Sequence, residues 1–329
     1  MCTAITYKTK NHYFGRNLDY DQSYEEKVVV TPRKAPFSFR KMPDMAEHYA
    51  MIGMATVADD YPLYYEATNE KGLSMAGLLF AGNAEYKSQT EGEENIAPFE
   101  FIPWILGQCA TIIEVREKLA CINLVKIPFS EEYPLAPLHW LIADGEQSLT
   151  VECVKEGLRI YDNPVGVLTN NPPFDWQLFA LNRYMNLSTE DPQNLFSNKL
   201  KLTTYSRGMG ALGMPGDLSS PSRFVKAAFT KLNSVSGATE SESVSQFFHI
   251  LGSVEQQRGC VHMGEGKYEI TLYSSCCNTD KGIYYYTTYE NRQITAVDMY
   301  KEDLEGSRIV AYPLVTGQQI GRQNGGCDE

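Results

Sequence analysis

From Cys2 to Phe80, apolar and polar residues alternate in one short run after another. A chain that repeats a two-residue period this persistently must build sheet, because successive side chains of a strand point to opposite faces. The runs at 2–7, 12–17, 27–31, 49–57, 63–69 and 73–80 are each predicted as strands. Between 98 and 119 the period lengthens, and Phe101, Ile105, Ile112, Val115 and Leu119 predict two short helices. Strands resume at 138–143, 149–154, 158–161 and 165–169, and 174–187 reads as helix. From there to Gly216 the chain is polar, glycine-bearing and without a period. Ser220-Pro221 then opens a helix as a cap residue followed by proline at the first helical position, with Phe224, Ala228, Phe229 and Leu232 on one face. Phe247, Phe248, Ile250 and Leu251 mark a further helix, and 282–289 with 293–299 form a hairpin turning at Glu290-Asn291-Arg292.

Strand runs interleaved with helix pairs make this an α+β chain, with stacked sheets covered by helices in one domain over 1–329 and a frayed tail at 322–329. Hydrophobic residues make up 43% of the chain, enough for a sizeable core. The charge balance, 29 basic against 41 acidic residues, has no Lys/Arg-rich run to offset it and disfavours nucleic acid and anionic membrane as partners. An anionic ligand would have to be held by a few placed arginines. The start, Met1-Cys2-Thr3-Ala4-Ile5-Thr6-Tyr7-Lys8, alternates where an export signal needs about 7–15 apolar residues behind a basic start. No run approaches the roughly 20 apolar residues of a membrane span. The expected setting is the cytoplasm.

Of the cysteines at 2, 109, 121, 153, 260, 276, 277 and 327, none forms a CxxC and none accompanies paired histidines, so neither a metal site nor disulfides are expected. Most sit in apolar runs such as Leu119-Ala120-Cys121-Ile122 and read as buried thiols. Cys2 differs by position. Removal of Met1, normal before a small residue, leaves a thiol and an α-amino group on one residue. A free thiol, with a pKa of about 8.5, is only a few per cent ionised at neutral pH. An α-amino group titrates at about 7.7–8.0 and can act as a base there. Cys2 would thus supply nucleophile and general base together, and His12, His48, His139, His249 and His262 sit in no protease-like context. The strand at 12–17 would pair with the first and bring Arg16 and Asp19 beside Cys2, where a guanidinium and a carboxylate could hold the ammonium and thiolate.

Several runs carry a resemblance to the choloylglycine hydrolases, the bile salt hydrolases and their penicillin V acylase relatives. They are Met1-Cys2-Thr3, Gly15-Arg16-Asn17-Leu18-Asp19, Asn69-Glu70-Lys71-Gly72-Leu73, Leu168-Thr169-Asn170-Asn171-Pro172 and Gly213-Met214-Pro215-Gly216-Asp217 with Ser222-Arg223-Phe224. The resemblance implies a four-layer αββα N-terminal-nucleophile hydrolase fold, two stacked antiparallel sheets between helix layers, a Cys2 nucleophile and no cofactor. It also implies that Arg16 and Asp19 position the nucleophile and that Arg223 is a second active-site arginine. Asn170 would donate its side-chain N–H to the oxyanion, and the backbone N–H of Leu79 would complete the hole. Leu79 is a departure: in Ala76-Gly77-Leu78-Leu79-Phe80 it stands where bile salt hydrolases usually carry Asn and penicillin V acylases Tyr.

By the same resemblance, loops after Asp19, at 59–65 and at 127–138 would line an apolar pocket with Tyr24, Tyr64, Phe129, Tyr133 and Leu138. Tyr205 and Arg207 would stand near the amino-acid end of the substrate, where an arginine could meet the carboxylate of glycine, which favours glycine over taurine conjugates. The implied reaction is hydrolysis of conjugated bile salts through a Cys2 thioester, with acyl transfer to amino acids as a second outcome. A penicillin V acylase, or an acylase of another N-acyl substrate such as N-acyl homoserine lactones, stays open as the alternative. The resemblance further implies a homotetramer with contacts in 191–214.

Overall fold

The computed structural model describes residues 1–324. Six strands come first: β1 (Cys2–Lys8), β2 (His12–Tyr20), β3 (Lys27–Thr31), β4 (Met51–Ala58), β5 (Tyr61–Asn69) and β6 (Ser74–Leu79). A short β7 (Glu94–Ile96), helices α1 (Phe101–Gln108) and α2 (Ile112–Leu119), and β8 (Ile122–Leu124) follow, with β7 and β8 paired in parallel. Next are β9 (Leu138–Ala143), β10 (Ser148–Val154), β11 (Gly157–Asp162) and β12 (Val167–Leu168), then helices α3 (Phe174–Ala180), α4 (Ser220–Asn233) and α5 (Glu240–Gly252). The described chain closes through β13 (His262–Gly264), β14 (Lys267–Tyr268), β15 (Ile270–Asn278), β16 (Ile283–Thr288), β17 (Thr295–Asp298) and β18 (Val310–Pro313).

Two large antiparallel sheets carry the architecture, one of six strands in the order β12-β1-β2-β15-β16-β17 and one of eight in the order β11-β10-β9-β6-β5-β4-β3-β18. Alternation within the strands divides the core. Val28, Val30, Ile52, Ala76, Leu78 and Leu141 fall in the cluster shared with the six-stranded sheet, whereas Val29, Met51, Met75 and Ile142 join Phe101, Ile105 and Ile112 of the first two helices. The eight-stranded sheet is therefore covered on both faces, each fully buried Val, Ile, Leu, Phe or Met contributing roughly 1.5–3 kcal/mol. On the far side, α4 and α5 pack Phe224, Ala227 and Phe247 onto the six-stranded sheet. The order of layers is helix, sheet, sheet, helix, as expected.

The structure departs from the sequence reading at several points. β15, unforeseen, lies in the middle of the six-stranded sheet. The helix expected over 174–187 stops at Ala180 and tightens into a 3-10 turn at Leu181–Tyr184. Ser219, not Ser220, occupies the cap position of α4, which leaves the Ser220 hydroxyl free to bond elsewhere, and Leu232 is exposed on that helix. In the tail, residues 322–324 are exposed and outside helix and strand, while 325–329, with Cys327, lie outside the described residues. No described helix is long and apolar enough to cross a membrane.

Candidate active site

The register of β1 on β2 places Cys2 opposite Leu18 and Ala4 opposite Arg16. Directly paired residues share a face of the sheet, so Cys2 and Arg16 point to the side of the eight-stranded sheet, and Thr3 and Asp19 to the side of the helices. Arg16 and Asp19 were expected as neighbours holding Cys2, and both are buried, but each finds its opposite charge elsewhere. Arg16 Nε lies 3.8 Å from a carboxylate oxygen of Glu66 on β5. Asp19 Oδ2 lies 3.9 Å from Arg223 Nη1 on α4, and its Oδ1 accepts from the Thr271 hydroxyl at 2.6 Å. Burial raises the Asp19 carboxyl above its ordinary range, against the pull of Arg223, the chain's ammonium, Thr271 and Arg16.

Arg223 reaches Cys2 from the helix side. Its Nη1 donates to the Cys2 carbonyl at 2.5 Å and to Thr3 Oγ1 at 2.6 Å, and its Nη2 donates to Asn170 Oδ1 at 2.7 Å. The same Asn170 oxygen accepts the Cys2 backbone N–H at 2.8 Å, while Asn170 Nδ2 donates to the Leu79 carbonyl at 2.8 Å. The hydroxyl that Ser220 does not use as a cap accepts the Asn170 N–H at 2.8 Å, and Gln177 Nε2 donates to the Asn170 carbonyl. Asn170 thus sits between Cys2 and the end of β6, held from both sides. Met1 is present, so the Cys2 nitrogen is here a peptide amide, at the place its α-amine would take. The Met1 ammonium donates to the Asp19 carbonyl at 2.7 Å and pairs with Glu269.

Beside these groups opens a cavity of about 390 Å³ lined by Cys2, Arg16, Asp19, Leu79 and a wall of apolar and aromatic side chains. Tyr24, Tyr64, Phe129, Tyr133 and Leu138 all line it, from the three segments expected. Their rings connect: Tyr24 lies 6.5 Å from Tyr133 and Phe129 6.1 Å from Tyr133, between ring centroids. Tyr64 contributes its ring, while its hydroxyl is tied back to Thr31 at 2.7 Å. Leu18, Leu63, Phe99, Ile102 and Leu135 also line the wall and were not foreseen, because core apolars and pocket apolars look alike in a sequence. Tyr205 and Arg207 are not brought to this cavity. Both side chains are exposed, Arg207 pairing with Asp191 at 3.3 Å, because 185–208 forms no helix or strand that could carry them to it.

The other buried cysteines cannot compete with Cys2. Burial pushes the thiols of Cys109 and Cys153 up to about 11 and that of Cys277 to about 12, and drives that of Cys276 well above its ordinary range, so they stay protonated and inert at neutral pH. Among the described residues no group of three or more His, Cys, Asp or Glu is placed to hold a metal ion.

Known proteins resemble both the sequence and this architecture. The family model for linear amide C–N hydrolases of the choloylglycine hydrolase family matches residues 2–312. A bile salt hydrolase/transferase from Lactiplantibacillus plantarum is 61% identical over 95% of this chain and 97% of its own length. The crystal structure of a conjugated bile acid hydrolase from Clostridium perfringens superposes with a TM-score of 0.91 at 38% identity, covering 98% of this chain and all of that one. A penicillin V acylase from Agrobacterium tumefaciens shares the fold, with a TM-score of 0.74 at 20% identity over 96% of this chain and 92% of that one.

Proposed function

Because the chain belongs to the choloylglycine hydrolase family of linear amide C–N hydrolases, we propose that it cleaves the amide bond of glycine- or taurine-conjugated bile salts, as one domain per chain and without a cofactor. The observation that carries this reading is Cys2 at the edge of an apolar, aromatic-lined cavity. A steroid is a rigid apolar body, and burial there removes its surface from water at roughly 25 cal/mol per Å². Its amide would then meet the polar end of the cavity at Cys2, Arg16 and Asp19, with Asn170 bonded to the Cys2 backbone beside it. A penicillin V acylase 20% identical lends support to the fold alone, so that substrate is not favoured. The seven described cysteines are all unpaired, which supports a reducing, cytoplasmic setting.

Loss of Met1 frees the Cys2 amine, which takes the thiol proton. The thiolate attacks the amide carbon, and the oxyanion rests on the Leu79 N–H and on the second hydrogen of Asn170 Nδ2, the first being held by the Leu79 carbonyl. The protonated amine passes its proton to the leaving nitrogen, the C–N bond breaks, and a thioester remains. Water then gives a proton to the amine and attacks the thioester, releasing bile acid and thiol. An amino acid amine in place of that water would transfer the acyl group. Incubation with bile salt and an excess of a second amino acid should yield the new conjugate, and its absence would remove the transfer branch.

We read the exposed apolar side chains Phe179, Met185, Leu195, Phe196 and Leu202 as subunit contacts of a homotetramer. Since Tyr205 and Arg207 do not line their own cavity, a role for them at the amino-acid end of the substrate, with preference for glycine, requires another protomer. Light scattering on a Leu195→Asp, Phe196→Asp double variant is expected to show species smaller than the wild type. The central test compares turnover of glycocholate, taurocholate and penicillin V, with N-terminal sequencing of the protein. Expected are a chain beginning at Cys2 and rates that fall in that order. A chain beginning at Cys2 that leaves both bile salts intact would overturn the reading.

A further inference from the structure

Glu66 is a fully buried carboxylate for which the reaction above has no use. It projects from β5 of the eight-stranded sheet toward the six-stranded sheet, where three hydroxyls donate to it. They are Tyr273 at 2.8 Å, Ser275 at 2.9 Å and Tyr284 at 2.5 Å. Arg16, 3.8 Å away, is its one ion-pair partner among the described residues. The guanidinium is held in place by carbonyls: Nη1 donates to Gly77 at 2.5 Å and Tyr65 at 3.2 Å, and Nε to Asn17 at 3.4 Å. Its Nη2 is buried without a protein partner, and Arg16 lines the cavity beside Cys2. The location of Arg16 is thus set mainly by carbonyls, while its net field is set by the carboxylate beside it.

From this geometry we infer that Glu66 is a positioning residue of the active site that acts through Arg16, as a fixed counter-charge limiting how strongly the guanidinium attracts the Cys2 thiolate. The inference rests on Cys2 being the nucleophile. Burial raises the Glu66 carboxyl, and Arg16, Tyr284, Tyr273 and Ser275 oppose that rise. Burial also works against the Arg16 charge, yet Cys2 first, then Tyr273, Glu66 and Asp19, hold the guanidinium above its ordinary value. Cys2 and Glu66 therefore share one cation. The other titratable or charged groups facing this cluster are Asp19 on β2, Tyr65 on β5, Tyr273 and Cys277 on β15, Tyr284 on β16, Arg223 on α4 and the chain's ammonium, carried by Met1 here and by Cys2 in the processed enzyme. Burial drives the three tyrosines and Cys277 upward, out of the neutral range.

The test is the pH dependence of Cys2 alkylation by iodoacetamide in the processed enzyme, with kcat and KM for glycocholate measured alongside. Glu66→Gln removes the competing charge, so half-maximal alkylation should move to lower pH and the rate at pH 6 should rise about threefold, with KM unchanged. Glu66→Asp keeps the charge and should keep the wild-type midpoint. Tyr284→Phe leaves the ring packed but removes a donor from the carboxylate, which makes Glu66 harder to ionise, and should shift the midpoint the same way by less. A midpoint for Glu66→Gln that stays put or moves to higher pH overturns the inference. If that variant does not fold, an unshifted Tyr284→Phe midpoint does the same. Should the wild type be alkylated at Cys2 yet leave bile salts intact, the proposed substrate fails while the midpoints still judge Glu66.

Discussion

Cys2 has an arginine on each face of its sheet, Arg16 lining the cavity with it on the side of the eight-stranded sheet and Arg223 bonded to its carbonyl on the side of the helices. Asn170 ties the second of these to the nucleophile, since its one oxygen accepts from both Cys2 and Arg223 while its nitrogen reaches Leu79. Asn170→Ala would undo all three contacts at once. We expect kcat for glycocholate to fall about 100- to 1000-fold, the usual cost of one oxyanion donor. Binding of the apolar steroid, and hence KM, should change little. Leu79 is the opposite case. Its backbone can serve the oxyanion whatever the side chain, and the side chain, 37% exposed, faces the cavity. Leu79→Asn should therefore raise KM for glycocholate by about fivefold through lost apolar contact, with kcat within about twofold of wild type. A large fall in kcat would show that the leucine side chain shapes the chemistry itself.

At the scale of elements, β15 is the strand on which the site most depends, and the sequence hides it, as it does the edge strand β18. It pairs with β2 on one side and β16 on the other, and supplies Thr271 to Asp19 and Tyr273 and Ser275 to Glu66. A backbone carbonyl of this strand approaches β2 so closely that a Cβ on Gly15 would lie 2.0 Å from the Ser275 oxygen. Gly15→Ala has no flexible side chain to displace and should cost about 1–3 kcal/mol of stability, read as a fall in urea midpoint with an unchanged m-value. The strand is hard to read because Ile270-Thr271-Leu272-Tyr273 gives way to Ser274-Ser275-Cys276-Cys277. All four of these are buried, so no polar face alternates with an apolar one. Glu66 is hidden for a related reason. Met54 pairs with Glu66 and Ala55 with Tyr64, so Tyr65 is an extra residue in β5, and the bulge turns Glu66 inward out of step with Tyr64. By contrast β3 and β9 match their runs, since each is short, apolar and cleanly bounded. Cys2, Arg16, Asp19 and Asn170 were legible from position and from runs of specific residues. The geometry of the charges, with Arg16 of β2 meeting Glu66 of β5 and Asp19 of β2 meeting Arg223 of α4, depends on packing between elements that a linear reading does not contain.

Across the whole molecule the two sheets, their helices and the site form one packed arrangement, and its response to acid can be tested at a point remote from the chemistry. His12 opens β2 and is buried, its ring bridging the hydroxyls of Thr6 on β1 and Thr279 just past β15, so it joins the three central strands of the six-stranded sheet. Burial, with Lys8 adding to it, lowers its pKa from 6.5 to about 4. Between those values the unfolded chain takes up a proton that the folded chain does not, so stability falls as pH drops through that window and levels off below it. The full loss for this residue is about 3 kcal/mol, at 1.36 kcal/mol per unit. Asp19 and Glu66 act in the reverse sense: their raised carboxyls bind protons in the fold at a pH where the unfolded chain has released them, so they lose stability as pH rises rather than as it falls. The signature of the histidine is therefore isolated by comparison with His12→Gln, which cannot titrate. Urea unfolding at pH 7, 5.5 and 4 should show the stability of the wild type relative to the variant declining by about 3 kcal/mol over that range. A difference that does not change with pH would mean that protonation of His12 is not what opens the sheet in acid.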